Sequence, residues 1–184
     1  MKATQILMDE HRVIERVISA LELATERLEQ GERIDPSFFI DATDFIRGFA
    51  DGCHHQKEEG VLFKAMMAAG MPTDQGPIAV MLGEHEQGRA YTRGLREAAE
   101  NLQAGDNDAV PIVVRNARGY AALLRQHIMK EDNVLFPMAD SVIPASQHAA
   151  LVEDFATVEK EESSEGVHEK FLALADNLEH QMKI

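Results

Sequence analysis

His54-His55-Gln56-Lys57-Glu58-Glu59-Gly60-Val61-Leu62-Phe63 and His127-Ile128-Met129-Lys130-Glu131-Asp132-Asn133-Val134-Leu135-Phe136 are one pattern used twice. Each sets a histidine four residues before a glutamate, and the two histidines, like the two glutamates, are 73 positions apart. On a helix, residues i and i+4 lie on one face one turn apart, so an imidazole nitrogen and a carboxylate oxygen converge on a common point. A second matched pair, Glu10-His11 and Glu84-His85, is displaced by 74 positions. The chain therefore reads as two copies of one helical hairpin, the first helix of each carrying a lone histidine and the second a His-x-x-x-Glu pair. Four helices would aim His11, His54, His85 and His127, with Glu58 and Glu131, at one interior point.

Outward from these motifs the apolar spacing is helical. Leu7, Ile14, Ile18, Leu21 and Leu28 form a stripe from Ala3 to Gln30 that includes His11, and Gly31 ends it. Asp35 before Pro36 is an N-cap and first-turn pair. It opens a second helix in which Ile46, Ala50, His54, Glu58, Leu62 and Ala65 share a face, closed by Gly70 and Pro72. A third runs from near Pro77 through Ile78, Leu82, His85, Leu95 and Leu102 to Gly105; Gly83, Gly88 and Gly94 weaken it, so packing must hold it or another helix must approach closely. Asp108 caps a fourth from about Pro111, with Val113, Ala117, Tyr120, Leu124, His127, Glu131 and Leu135 inward and Pro137 and Pro144 bracketing its end.

Short connections imply antiparallel neighbours, hence an all-α, up-down-up-down four-helix bundle over residues 1–140. Leu151, Val152, Phe155 and Val158, a break near Ser163-Ser164-Glu165-Gly166, then Phe171, Leu172, Leu174, Ala175 and Leu178 read as one or two additional helices. Residues 141–184 are thus a C-terminal helical extension. The sequence leaves open whether it packs on the bundle, covers one end or makes a subunit contact, as in a homodimer.

The composition agrees. A chain of 184 residues suits one domain, and abundant helix formers with sparse aromatics and no tryptophan favour an all-α fold. A net charge of −14 makes nucleic acid and anionic membranes poor partners. The single cysteine, Cys53, excludes an intrachain disulfide framework and a cysteine-built metal site, and fits a reducing cytoplasm. No targeting signal or membrane-spanning apolar stretch is visible.

Taken singly, a histidine on an apolar stripe is more often a satisfied core residue than a ligand. Together, four imidazoles and two carboxylates in one core would cost several kcal/mol for each ionised group, a cost that a bound cation removes. Imidazoles favour first-row transition metals, and two carboxylates able to bridge fit a pair of ions better than one. Six protein ligands shared by two metals leave positions for water or an incoming diatomic, whereas a structural site would be closed.

The order His, His-x-x-x-Glu, His, His-x-x-x-Glu over residues from about 3 to 140 resembles the hemerythrin-like, or HHE cation-binding, family. The resemblance implies two non-haem iron ions of the Fe-O-Fe type, ligated by His11, His54, His85 and His127 and bridged by Glu58 and Glu131. Manganese or a mixed pair stays open as the metal. The bundle and oxygen, nitric oxide or peroxide as ligands come with it. The oxygen-carrying hemerythrins place two histidines one turn apart on the third helix, whereas four residues either side of His85 this chain has Met81 and Arg89. A missing ligand favours redox turnover of peroxide or nitric oxide over reversible oxygen carriage.

Glu15, Tyr120 and His55 are near enough to fill that gap. Their plainer readings are a supporting or surface carboxylate, a core ring with its hydroxyl paired, and a helix-surface residue. Glu10 and Glu84 either orient neighbouring ligands or face solvent. Cys53 reads as a small buried hydrophobe rather than a redox thiol, Lys57 and Lys130 as solvated faces, and His148, His168 and His180 as surface or helix-end residues.

The leading expectation is a soluble di-iron oxidoreductase that reacts with small oxidants by a catalase-like, peroxidase-like or nitric-oxide-reducing route, served by an unidentified electron donor. The alternative is a non-catalytic module that binds or senses oxygen, nitric oxide or iron. Iron delivery for cluster repair ranks last, because relatives of that kind carry an N-terminal cysteine-bearing segment that this sequence lacks.

Overall fold

The computed structural model describes residues 2–162 and 167–182, and all regular structure among them is helical. Six helices follow in order: α1 (Ala3–Glu29), α2 (36–68), α3 (Gly76–Gln103), α4 (110–142), α5 (His148–Glu162) and α6 (Val167–Met182). Asp35 caps α2, its side chain accepting from the Ser37 amide at 3.0 Å ahead of Pro36. Gly31, Gly70 and Gly105 close α1, α2 and α3 with φ of 85°, 97° and 98°, the left-handed conformation that turns the chain back. The cap before α4 is Asp106 rather than Asp108. Its carboxylate accepts from the Asp108 amide at 3.0 Å in the short 3₁₀ turn Asn107–Ala109, which shifts the start of the helix to Val110.

Helices α2 and α4 are not uniform. Wide π turns occupy Ile46–His55 and Glu58–Leu62 in α2 and Glu131–Leu135 in α4. Pro137, expected at the end of the fourth helix, lies instead in the first turn of the α-helical segment Phe136–Val142. The preceding π turn changes the hydrogen-bond register, so the amide that proline lacks does not interrupt the rod.

Two apolar clusters stack along the bundle. One gathers Ile14, Ile18, Leu21, Phe38, Phe49, Leu95 and Leu124; the other gathers Leu7, Leu62, Phe63, Met66, Met81, Leu135 and Phe136. Along α1 the chain passes from the second cluster to the first, along α2 from the first to the second, and α3 and α4 repeat that alternation. This is the up-down-up-down arrangement. Each helix changes cluster at its histidine, so the polar residues of all four fall in one belt between two layers of hydrocarbon. Close approach explains one weakening glycine of α3: a Cβ at Gly94 would lie 2.7 Å from the Asn116 Oδ1 on α4.

The C-terminal helices lie along the bundle. Leu151 and Phe155 of α5 join the second cluster, and Ala175, Leu178 and Met182 of α6 the first. Arg16 on α1 donates to Glu179 at 2.7 Å and to Asp176 on α6, and the Phe171 ring sits where Gly48 has no side chain. The break expected near Ser163-Ser164-Glu165-Gly166 lies outside the described residues.

Candidate metal centre

The belt brings together all six residues marked by the repeat. His11, His54, Glu58, His85, His127 and Glu131 are each at most 2% exposed. Each carboxylate faces one imidazole from each half of the chain. Glu58 lies 3.5 Å from the Nε2 of both His54 and His85, and Glu131 Oε2 lies 3.3 Å from the Nε2 of both His11 and His127. Two groups result that share Glu58: His11, His54, Glu58 and Glu131, and His55, Glu58, His85 and His127. Within each, the ligand atoms all lie within 4.8 Å of one another.

Every Nδ1 is turned outward and held by a carboxylate. Glu10 holds His54 (2.9 Å), Glu84 holds His127 (2.9 Å), Glu59 holds His85 (2.7 Å) and Asp132 holds His11 (2.7 Å). Each of these carboxylates meets a cation in turn: Lys57 on Glu10, Lys130 on Glu84, Arg89 on Glu59 and Arg12 on Asp132. The cation–carboxylate–imidazole chain is thus built four times, fixing each ring so that Nε2 points inward. Glu10 and Glu84 thus hold the rings of His54 and His127 rather than facing solvent. Glu59 and Asp132 escaped sequence reasoning, although both directly follow a site glutamate at matching positions of the repeat.

Lys57 corrects an expectation. Read as a solvated face, it is fully buried, because the π turns rotate its side chain inward and α5 covers it, where Glu159 accepts from its Nζ at 2.5 Å. Lys130 keeps a third of its side chain exposed.

Within the belt the polar atoms outnumber the hydrogen-bond partners that the protein offers them. His11 Nε2, His54 Nε2 and both oxygens of Glu58 and of Glu131 are buried with no hydrogen-bond partner. Burial, joined by the facing Glu58, holds the Glu131 carboxyl well above the usual carboxylate range. Burial raises Glu58 too, but His54 and His85 pull it well below that range. Burial disfavours a charged His54, yet Glu58 and Glu10 raise it to about 9, while burial and His85 push His127 down to about 4. Buried orphan lone pairs of this kind are costly unless a ligand satisfies them. Inward Nε2 atoms with carboxylates facing two imidazoles each are a donor set that fits first-row transition metals.

Of the three candidates for the missing ligand, His55 alone joins the cluster. Expected on the helix surface, it is 5% exposed, because the π turn brings neighbouring positions 54 and 55 both inward. Its ring stacks on His85 with centroids 3.9 Å apart, Nδ1 meets Asp51 at 3.3 Å, and burial with His85 pushes it down to about 3. Glu15 pairs with Arg12 instead. Tyr120 is a core ring as expected, but its hydroxyl is unpaired rather than satisfied. Cys53 is buried. His180 is exposed and His168 half-buried, whereas His148, at the start of α5, is buried with its Nδ1 facing the Ala3 amide at 3.3 Å.

No described helix is long and apolar enough to cross a membrane. Among curated proteins the chain is similar to uncharacterized proteins of Mycobacterium bovis and of two strains of Mycobacterium tuberculosis. Each is 27% identical over 153 residues, which is 83% of this chain and 59% of the relative's own length. No solved structure matches it significantly. The sequence profile of the hemerythrin HHE cation-binding domain matches residues 2–139, the span that holds all six residues marked by the repeat, and the chain belongs to that family.

Proposed function

We propose that this protein binds two iron ions in the belt and reacts with small oxidants, peroxide or nitric oxide ahead of oxygen. His11 and His54 would hold one ion and His85 and His127 the other, with Glu58 and Glu131 bridging. One observation carries the reading: six orphaned donor atoms from three helices meet in a core between two apolar layers, each imidazole pre-set by its own carboxylate. The metal pair would supply Lewis acidity and redox equivalents. The residues do the rest. Four outer carboxylates fix ring orientation and raise ligand basicity, and the apolar layers exclude bulk water from the ligands. His55 adds a fifth imidazole beside His85 and His127, which makes the two ends of the pair unequal. With one cysteine and an acidic surface, we place the protein in a reducing cytoplasm, served by a separate electron donor.

Metal analysis and an absorption spectrum of freshly purified protein, before and after peroxide and nitric oxide, test this. About two irons per chain is the expected outcome, with near-ultraviolet charge-transfer absorption and peroxide consumption that Glu131→Ala abolishes. Less than one iron after reconstitution would sink the dinuclear reading. Reversible oxygen uptake with no peroxide or nitric oxide consumption would replace the enzyme by a carrier or sensor.

A further inference from the structure

A cavity of about 380 Å³ opens from the surface between α2, α3 and α4 and ends at the belt. Its inner wall is buried: Ile46, Gly88, Thr92 and Tyr120, together with the rings of His55 and His85. Water occupies roughly 30 Å³ in the liquid, and a diatomic or peroxide needs little more. The space is therefore an order of magnitude larger than the proposed oxidants require, and it falls in the range of pockets for small organic molecules.

Three features define what it would take. The Tyr120 ring, on a residue 2% exposed, forms part of the inner wall, its hydroxyl buried with no hydrogen-bond partner. The wall around it is otherwise largely hydrocarbon, since Thr92 Oγ1 is already committed to the Gly88 carbonyl at 2.9 Å. The charged lining runs against the protein's net charge of −14: four arginines, Arg47, Arg89, Arg93 and Arg96, against Asp51 and Glu97. Arg89 is engaged by Asp51 and Glu59, and Arg96 by Asp44 and Glu100. Arg47 and Arg93, both exposed, have no ion-pair partner among the described residues. Glu97 on the same lining is exposed and leaves the two arginines in excess.

We propose that this cavity binds a small organic monoanion, its acid group at the rim on Arg47 and Arg93 and its apolar body inside, against the Tyr120 ring and the His55–His85 stack. Guanidinium groups suit a carboxylate because they present paired donors in its plane, and the hydrocarbon wall takes a body of several carbon atoms. The occupied cavity would sit against the proposed metal position of His55, His85 and His127. The inference rests on that reading only for what lies beyond the inner wall, and binding itself is measurable before iron is added.

The chain has two tyrosines and no tryptophan, so Tyr91→Phe leaves Tyr120 as the one tyrosine emitter. Hexanoate titrated into protein as purified should give saturable calorimetric heat and, in Tyr91→Phe, a saturable change in tyrosine emission. Hexanol should bind at least tenfold more weakly. Arg47→Gln combined with Arg93→Gln, both at exposed positions, should weaken hexanoate at least tenfold and leave hexanol unchanged. No saturable binding, equal affinity for hexanol, or undiminished affinity in the double arginine variant would overturn the proposal. So would displacement of hexanoate by equimolar nitrite, which would make this a generic anion site. Loss of iron in Glu131→Ala with hexanoate binding retained would separate the fate of the cavity from that of the metal centre.

Discussion

Lys57 and Lys130 occupy the same position in the two halves of the chain and contact equivalent carboxylates, so replacing each in turn isolates the effect of burial. Lys57 is wholly buried between Glu10 and Glu159 and lies 5.9 Å from the centre of the Phe155 ring; Lys130 meets Glu84 with 33% of its side chain exposed. In Lys57→Met the Glu10 carboxylate keeps its burial and loses its cation. Removing one member of a buried ion pair costs about 3–5 kcal/mol. For a chain of this size each kcal/mol shifts the melting temperature by about 2–4 °C, so the variant should melt about 6–20 °C below the parent. Lys130→Met breaks a partly solvated pair worth about 1 kcal/mol or less and should move the midpoint by no more than about 4 °C. A second readout follows from geometry. Glu10 also holds His54 Nδ1, so an unneutralised Glu10 that protonates or swings toward solvent releases that ring. Loss of such an outer partner lowers metal affinity by about 10–100-fold. Thermal melts of the two metal-free variants and chelator-competition titrations of the reconstituted ones measure both effects. Equal shifts in the two variants, or unchanged affinity in Lys57→Met, would refute the argument that α5 seals this half of the belt.

Gly48→Ala would place a Cβ 1.8 Å from Phe171 Cζ and force α6 outward; overpacking of this kind costs about 1–3 kcal/mol, visible as a lower urea midpoint with iron content unchanged. Asp35→Ala removes the cap on α2 and should cost about 1 kcal/mol by the same measurement, partly restored by Asp35→Ser. Asp51 supplies a pH signature. Burial opposes its charge, yet His55 and Arg89 lower its carboxyl to about 2, below the value near 3.9 expected in the unfolded chain. Its contribution is therefore complete above about pH 4 and disappears as the pH falls through 2. The stability gap between the parent and Asp51→Asn should be constant from pH 7 to 5 and shrink between about pH 4 and 2. A gap that widens on acidification would contradict this assignment.

The repeat made the architecture and the inner six residues legible, because helical spacing and ligand chemistry point the same way at each position. What it hid traces to backbone geometry. A reading at 3.6 residues per turn sends His55 and Lys57 away from His54 and Glu58. The wide turns over Ile46–His55 and Glu58–Leu62 rotate them back inward, and no residue in those stretches announces a π turn. Pro137 misled for the same reason, as a breaker in an α-helix that the turn at Glu131–Leu135 makes tolerable. Glu59 and Asp132 were hidden differently: each works across the bundle on a histidine of the other half, a pairing that exists only once the helices have packed.

The two halves are alike in their imidazole chains and unlike in what surrounds them, and that difference bears on function. Position 55 follows the first motif histidine and is a fifth imidazole, whereas its counterpart after the second is Ile128, buried as hydrocarbon. One group accordingly offers three histidines, His55, His85 and His127, and the other offers two, His11 and His54. The cover differs too. Helix α5 closes the first half by bringing Glu159 onto Lys57, while the cavity reaches the belt beside His55 and His85. A pair of ions held here would be distinguished by both ligand set and exposure, with anything arriving from solvent meeting the histidine-rich end. Exchanging the asymmetry tests that reasoning directly. His55→Ile combined with Ile128→His moves the fifth imidazole while keeping its chemistry, so if position beside the cavity matters, peroxide consumption should fall although iron content holds. Full activity in the exchanged protein would show that the cavity plays no part in delivering the oxidant.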